Sequence, residues 1–112
     1  MPPVSDDQPA SELRTFLFAD VRSYTRFTAE RGDEVAARLA SKFASVARQE
    51  VGARGGEVIE LRGDEALAVF SSARQALRAA VALQEAFARE SEADPELPLT
   101  VGIGLDAGEA VP

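Results

Sequence analysis

An almost continuous apolar segment near the N-terminus constrains the fold more than any other feature of the sequence. Residues 15–21 read Thr-Phe-Leu-Phe-Ala-Asp-Val. A run of this length and composition is typical of a β-strand that lies in the centre of a sheet and is buried on both faces. The run carries a carboxylate, Asp20, near its end, and residues 22–28 then open a short helix. The chain therefore begins its fold with a central strand followed directly by a helix.

A long helix follows this first unit. Apolar residues recur at helical spacing over residues 34–53, which predicts an amphipathic helix with one core face. Asp33 stands just before it, where a carboxylate is a suitable N-cap. Gly55 and Gly56 come just after it, where glycine supplies the left-handed conformation that ends many helices.

The second half of the chain contains a predicted hairpin, a second long helix and a last strand. The hairpin has strand-like runs on either side of a tight connection, and the helix begins with a capping-box pattern. The hairpin strands are residues 57–61 and 65–70, their connection is Arg62-Gly63-Asp64, the helix spans residues 72–91, and the last strand spans residues 99–105.

The predicted order of elements is therefore β-α-α-β-β-α-β. Two long helices on one face of a four-stranded, mostly antiparallel sheet form the ferredoxin-like arrangement, an α+β fold. Residues 1–11 are polar and contain prolines, which predicts a disordered leader. Residues 12–112 are predicted to form one domain, in line with a length of 112 residues of which 46% are hydrophobic.

Composition excludes several classes of function. The chain contains no Cys and no His, which excludes thiolate and imidazole chemistry, zinc fingers and disulfides. A metal must therefore be held by oxygen ligands, as Mg²⁺, Mn²⁺ and Ca²⁺ are. The formal charge of −7 argues against a non-specific nucleic-acid binder. No apolar run has the length of a membrane span and no signal peptide opens the chain, so we expect a cytoplasmic location.

Two carboxylates stand at positions where they can meet. Asp20 ends the first strand and Asp64 lies in the hairpin turn, and a ferredoxin-like sheet brings these elements to one rim. Carboxylates that meet there repel each other unless a cation lies between them. Mg²⁺ is the natural occupant, since it binds oxygen ligands together with substrate phosphates. Taken separately, Asp20 is also a suitable helix cap and Asp64 a common turn residue.

A predicted helix N-terminus lies beside Asp20. The backbone N–H groups of Arg22, Ser23, Tyr24 and Thr25 belong to this segment. Free N–H groups and the helix dipole make such an end a binding site for anions. A diphosphate or triphosphate would be held there.

Three segments, in the same order, resemble the motifs of class III adenylate/guanylate cyclase catalytic domains. The segments are FLFADVRSYT at residues 16–25, GGEVIELRGDEALAVF at residues 55–70 and VGIGLDAGE at residues 101–109. The resemblance implies that Asp20 and Asp64 hold two Mg²⁺ or Mn²⁺ ions, with the backbone carbonyl of Val21 as a further ligand. It also implies conversion of ATP or GTP to the 3′,5′-cyclic monophosphate and pyrophosphate, by a homodimer that is linked to other domains of a signalling protein.

The chain departs from the family pattern in three ways. Ser23 stands where the motif usually has Gly, which leaves less room for a phosphate near the backbone. Glu60 occupies the purine-selecting position, where adenylate cyclases usually have Lys and guanylate cyclases commonly have Glu. Glu60 is also acceptable as a solvent-facing strand residue. The Asn and Arg that stabilise the transition state in the family would lie beyond Pro112, so we expect a C-terminally incomplete domain that is inactive alone.

Other functions stay open on these residues. One is a non-catalytic cyclase-homology module that binds nucleotide, or nothing, and regulates a larger signalling protein. A diguanylate cyclase-like domain is disfavoured because Ala66 stands where its motif requires an aromatic residue. A plain ferredoxin-like domain with acidic turns leaves the coincidence of Asp20 and Asp64 unexplained.

Overall fold

The computed structural model describes residues 12–110, so the predicted leader at residues 1–11 lies outside the described residues. The strands and helices follow the predicted order. Their bounds are β1 Glu12–Val21, α1 Tyr24–Arg31, α2 Asp33–Ala53, β2 Glu57–Arg62, β3 Glu65–Phe70, α3 Ala73–Ala93 and β4 Val101–Ala110. The last strand is longer than residues 99–105 and begins two residues later.

The described strands form one sheet in the order β2-β3-β1-β4, and every neighbouring pair is antiparallel. Helices α2 and α3 pack on the sheet and on each other, whereas α1 packs mainly on α2. This is the ferredoxin-like α+β fold that the order of elements predicts. The strand predicted to be central, β1, lies between β3 and β4.

The core lies between the sheet and the two long helices. Leu17, Ala19 and Val21 alternate along β1 and are all buried on this side, as expected from the two-residue period of a strand. Phe43 of α2 and Phe87 of α3 are fully buried above them, and their rings stack with centroids 5.7 Å apart. Burial of each such aromatic side chain contributes about 1.5–3 kcal/mol to folding.

The opposite face of β1 is open, so the prediction of burial on both faces is wrong. Phe18 is 48% exposed and Phe16 is only partly buried. The physical reason is that both long helices pack on the side of Leu17 and Ala19. Among the described residues, no helix covers the side of Phe16 and Phe18.

Helix α3 leaves two of its large apolar side chains exposed to solvent. Leu77 and Val81 are 58% and 55% exposed. Alanines take the inward positions instead, which allows the helix to approach the sheet closely. The buried residues of α3 are Ala76, Ala79, Ala82, Leu83, Ala86 and Phe87. No helix within residues 12–110 has the length and apolar character needed to cross a membrane.

The two long helices begin differently. The N-cap of α3 is Ser72, whose hydroxyl accepts a hydrogen bond from the backbone N–H of Gln75 at 3.2 Å, so the cap itself is confirmed. The side chain of Gln75 accepts from the hydroxyl of Ser71 rather than from the backbone of Ser72. Helix α2 instead has Gly32 as its N-cap, at φ 92°, and the prediction that Asp33 is the cap is wrong. Asp33 is the first residue of the helix, where its charge still interacts favourably with the helix dipole.

Candidate functional site

The end of β1 and the hairpin turn meet at one rim of the sheet. The backbone N–H of Val21 donates a hydrogen bond to the carbonyl of Asp64 at 2.9 Å. This bond holds the turn between β2 and β3 against the strand that carries Asp20. Asp20 and Asp64 are both partly buried, so the backbone brings the two predicted carboxylate positions to the same rim.

Asp20 projects from the open face of the sheet, because Ala19 and Val21 on either side of it face the core. Its direct neighbours in the ladders are Glu65 on β3 and Gly102 on β4. Within residues 12–110, the carboxylates of Asp20 and Asp64 make no hydrogen bond or ion pair. Acidic groups close to one another, without a basic partner, favour binding of a cation.

The available donors suit a hard cation. The described residues contain no cluster of three or more His, Cys, Asp or Glu side chains able to hold a metal, so the candidate donors are the two carboxylates and the carbonyl of Val21. That carbonyl points towards the hairpin, since the N–H and C=O of one strand residue point to the same neighbour. Two carboxylates and one carbonyl fit Mg²⁺ or Mn²⁺, which fill their remaining positions with water and substrate phosphates.

The loop after β1 offers fewer free amides than expected. The N–H of Arg22 donates to the carbonyl of Thr100 at 2.8 Å, so it already has an acceptor and is not a free phosphate donor. Within residues 12–110 the amides of Ser23, Tyr24 and Thr25 have no backbone acceptor, as is usual at the start of a helix. Of the four predicted amide donors, three are therefore free to bind an anion.

Ser23 adopts a conformation that normally favours glycine. It is the N-cap of α1, with φ 58° and ψ 29°, and its side chain caps no amide of the helix. It is also the only non-glycine residue among residues 12–110 with a positive φ. The left-handed region costs an L-residue about 1–2 kcal/mol. The local backbone thus explains in physical terms why glycine suits this position.

A β-bulge places Glu60 on the open face. The β2–β3 ladder shifts register between Val58 and Glu60, and Ile59 is the extra residue. Glu60 is opposite Leu67, and Leu67 is opposite Phe18, so the three share one row on the open face. A regular strand would have turned Glu60 to the same side as Val58, towards the core. The helical and strand periodicities of the sequence did not predict this bulge.

A pocket of about 370 Å³ lies over this part of the sheet. It brings together Asp20, the candidate metal ligand, and Glu60, the candidate purine-selecting residue. Glu60 also pairs with Arg62, whose Nε lies 2.5 Å from Oε1 of the carboxylate. Asp64 does not line the pocket. The lining residues are Phe18, Ala19, Asp20, Glu60, Arg62, Glu65, Ala66 and Leu67.

Comparison with known proteins gives the following similarities. No protein-family model matches the chain. A protein named adenylate cyclase from Streptomyces coelicolor is 32% identical over 100 residues, which are 88% of this chain and 26% of that protein. A bacterial light-regulated adenylyl cyclase has a TM-score of 0.84 at 22% identity, over 93% of this chain and 32% of the other. The guanylate cyclase domain of Catenaria anguillulae, solved with GTP, has a TM-score of 0.76 at 18% identity, over 88% of this chain and 57% of the other.

The chain is thus similar in sequence to an adenylate cyclase and in fold to adenylyl and guanylyl cyclase domains. Both the resemblance of the three motifs and the predicted fold class are confirmed. The chain spans about a quarter of the length of the Streptomyces coelicolor protein that it matches. The matched proteins are named for both purines, so the comparisons leave the choice between ATP and GTP open.

Proposed function

We propose that this domain is part of a purine nucleotide cyclase in a cytoplasmic signalling protein. Its substrate is ATP or GTP, and its products are the 3′,5′-cyclic monophosphate and pyrophosphate. The observation that carries the proposal is the Val21–Asp64 hydrogen bond, because it holds a second aspartate at the rim of the sheet where β1, the strand that carries Asp20, ends. The cytoplasm is the compartment that supplies both triphosphates.

The proposed reaction is an intramolecular displacement at the α-phosphorus. The ribose O3′ forms a bond to that phosphorus, the bond to the bridging oxygen of the β-phosphate breaks, and the 3′-hydroxyl proton passes to water. Asp20, Asp64 and the carbonyl of Val21 would hold two Mg²⁺ or Mn²⁺ ions. Such ions supply neutralisation of the phosphate charge and lower the pKa of the ribose hydroxyl.

The chain's own residues orient the nucleotide. The free amides of Ser23, Tyr24 and Thr25 donate hydrogen bonds to phosphate oxygens. Glu60 receives the purine: its carboxylate accepts hydrogen bonds from the N1 and N2 donors of guanine, both of which adenine lacks. Arg62 must release Glu60 before this contact forms, since the two side chains are paired in the free protein.

The intact enzyme is proposed to be a homodimer, as the family resemblance implies, and to be linked to further domains. We expect these 112 residues alone to bind nucleotide without cyclising it. The resemblance assigns transition-state stabilisation to an Asn and an Arg outside this sequence. A hydrogen-bonding group that stabilises only the transition state typically contributes 10²–10³ in rate.

Metal-dependent nucleotide binding tests the proposal. Mn²⁺ is titrated by calorimetry with a non-hydrolysable GTP or ATP analogue into the wild type and into Asp20→Ala/Asp64→Ala. A matched control, Glu85→Ala/Glu92→Ala, removes the same charge from exposed positions of α3. We expect saturable binding by the wild type and the control, and none by the aspartate variant. Binding that survives in the aspartate variant, or that is absent from the folded wild type, contradicts the proposal.

A second candidate is a regulatory cyclase-homology module without catalysis. The Glu60–Arg62 ion pair favours this module, because Arg62 already binds the carboxylate that would accept hydrogen bonds from the purine. Assay of cyclic nucleotide formation by the full-length protein decides between the two. Formation of cyclic nucleotide would show that the protein is a cyclase, whereas nucleotide binding without product would favour the regulatory module.

A further inference from the structure

A close contact between Arg22 and Gly102 joins the loop after β1 to strand β4. A Cβ atom on Gly102 would lie 2.5 Å from both Cζ and Nε of Arg22, well inside contact distance. The guanidinium group therefore occupies the space that a side chain at residue 102 would fill. The backbone of Gly102 does not have a positive φ, so its conformation does not require glycine. The absence of a side chain at residue 102 instead leaves room for the Arg22 guanidinium.

The contact lies on the same face of the sheet as Asp20. Gly102 is directly opposite Asp20 in the β1–β4 ladder, and the next pair, Val21 and Val101, is buried in the core. Residues that are directly opposite in a ladder project from the same face. The guanidinium of Arg22 thus rests on the open face of the sheet, against Gly102.

Arg22 is held at its backbone but its side chain has no partner. Its N–H is bonded to Thr100, which fixes the start of the side chain. Five other arginines pair with glutamates, whereas within residues 12–110 the exposed Arg22 guanidinium makes no ion pair or hydrogen bond. Its five N–H donors are therefore available. The amides of Ser23 and Tyr24, which have no backbone acceptor within residues 12–110, follow directly in the chain, so unpaired donors of the backbone and of one side chain come together at this corner.

We propose that the side chain of Arg22 is a further phosphate-binding group of this site and that Gly102 positions it. A planar guanidinium binds two phosphate oxygens at once, which an amide or an ammonium group does not. The inference rests on the proposed function, since the anion is the phosphate chain of the bound nucleotide. Phosphate binding by Arg22 is therefore assigned to its side chain, because its backbone N–H already donates to the carbonyl of Thr100.

Three variants separate charge, shape and position. Arg22→Gln removes the charge, Arg22→Lys keeps the charge without the paired donors, and Gly102→Ala keeps Arg22 but fills its place with a methyl group. Arg78→Gln is the control, because it removes one arginine charge from an exposed position on α3. The affinity for a non-hydrolysable GTP analogue and for guanosine is measured in Mn²⁺, with thermal melting as a check of folding.

We expect Arg22→Gln to weaken binding of the triphosphate analogue about tenfold, the effect of losing one charge-assisted contact, and to leave guanosine binding unchanged. Gly102→Ala should weaken it in the same direction, Arg22→Lys should weaken it less, and Arg78→Gln should have no effect. Equal loss for analogue and guanosine, or a lowered melting temperature in Arg22→Gln, would indicate a structural role and overturn the inference.

The outcomes also separate the two proposals. Unchanged affinity in Arg22→Gln, with clear binding by the wild type, overturns the role of Arg22 and leaves the cyclase proposal in place. If the wild type self-associates and Arg22→Gln abolishes this without a change in affinity, the guanidinium binds a carboxylate of a second copy, which would overturn the inference. No binding of the analogue by the folded wild type overturns both.

Discussion

The two faces of the sheet differ in what covers them and in what they carry. The covered face is apolar and lies under α2 and α3, where Phe43 and Phe87 are fully buried. The open face carries exposed or partly exposed charged, aromatic and glycine positions in adjacent rows. Its residues next to the candidate site are Phe18, Asp20, Glu60, Glu65, Leu67, Gly102 and Gly104.

The difference indicates a division of tasks within one sheet. The free energy of folding comes mainly from the covered face, where apolar area is removed from water. The open face is left to binding, since within residues 12–110 the carboxylates of Asp20 and Glu65 have no basic partner and that of Glu60 has only Arg62. Substitutions on the covered face should therefore change stability, and substitutions on the open face should change ligand affinity.

The largest expected effect is on the covered face. Phe43→Ala removes a fully buried ring that stacks on Phe87, and such a cavity lowers the free energy of unfolding by about 3–5 kcal/mol. Phe18→Ala, on the open face, should lower it by about 1 kcal/mol, since the ring is already half exposed. Urea unfolding of both variants measures the difference. Equal losses would mean that the open face is covered in solution.

The next effect is on the open face and on affinity alone. Asp20→Asn should weaken binding of the metal–nucleotide complex about 100-fold, because a neutral amide is a poor ligand for Mg²⁺ or Mn²⁺. Stability should stay the same or rise by a few tenths of a kcal/mol, since the charge opposite Glu65 is removed. Calorimetry gives the affinity and thermal melting gives the stability. A large loss of stability would place Asp20 in the folding scaffold instead.

A smaller effect concerns the purine. Glu60→Lys should lower the ratio of GTP-analogue to ATP-analogue affinity about tenfold, because the carboxylate that accepts from guanine is replaced by a donor. Glu57→Lys is the control, since it makes the same change at an exposed position of the same strand. Competition binding with the two analogues measures the ratio. An equal change of the affinity ratio in both variants would mean that net charge, and not a contact with the purine, causes the effect.

Much of the covered face could be predicted from the sequence, because it depends on local periodicity. The helical spacing over residues 34–53 and the apolar run at residues 15–21 each encode an element without reference to distant residues. Periodicity alone does not report which residues of α3 face the sheet, since Leu77 and Val81 are exposed and alanines with little hydrophobic signal of their own take most inward positions.

The open face depends on long-range pairings that periodicity does not report. The hydrogen bond of Arg22 to Thr100 joins residues far apart in the chain, and so does the contact with Gly102. The bulge at Ile59 left one signal in the sequence. Val58 and Leu61 both face the core although they are three residues apart, which a regular strand does not allow. The metal-binding role of Asp20 and Asp64 follows from their positions and from the resemblance, the role of Glu60 follows from the resemblance alone, and all three stay predictions.

The smallest effect concerns the loop that connects the two faces. Ser23→Gly should raise the free energy of unfolding by about 0.5–1 kcal/mol, because it relieves a left-handed φ of 58° and costs some chain entropy in the unfolded state. Ser41→Gly, in the middle of α2, makes the same chemical change and should lower stability by about 0.5 kcal/mol. Opposite signs in urea unfolding would show that the binding rim carries backbone strain which the covered face lacks. Destabilisation by both variants would mean that Ser23 is not strained, and that the comparison of the two faces does not extend to the backbone.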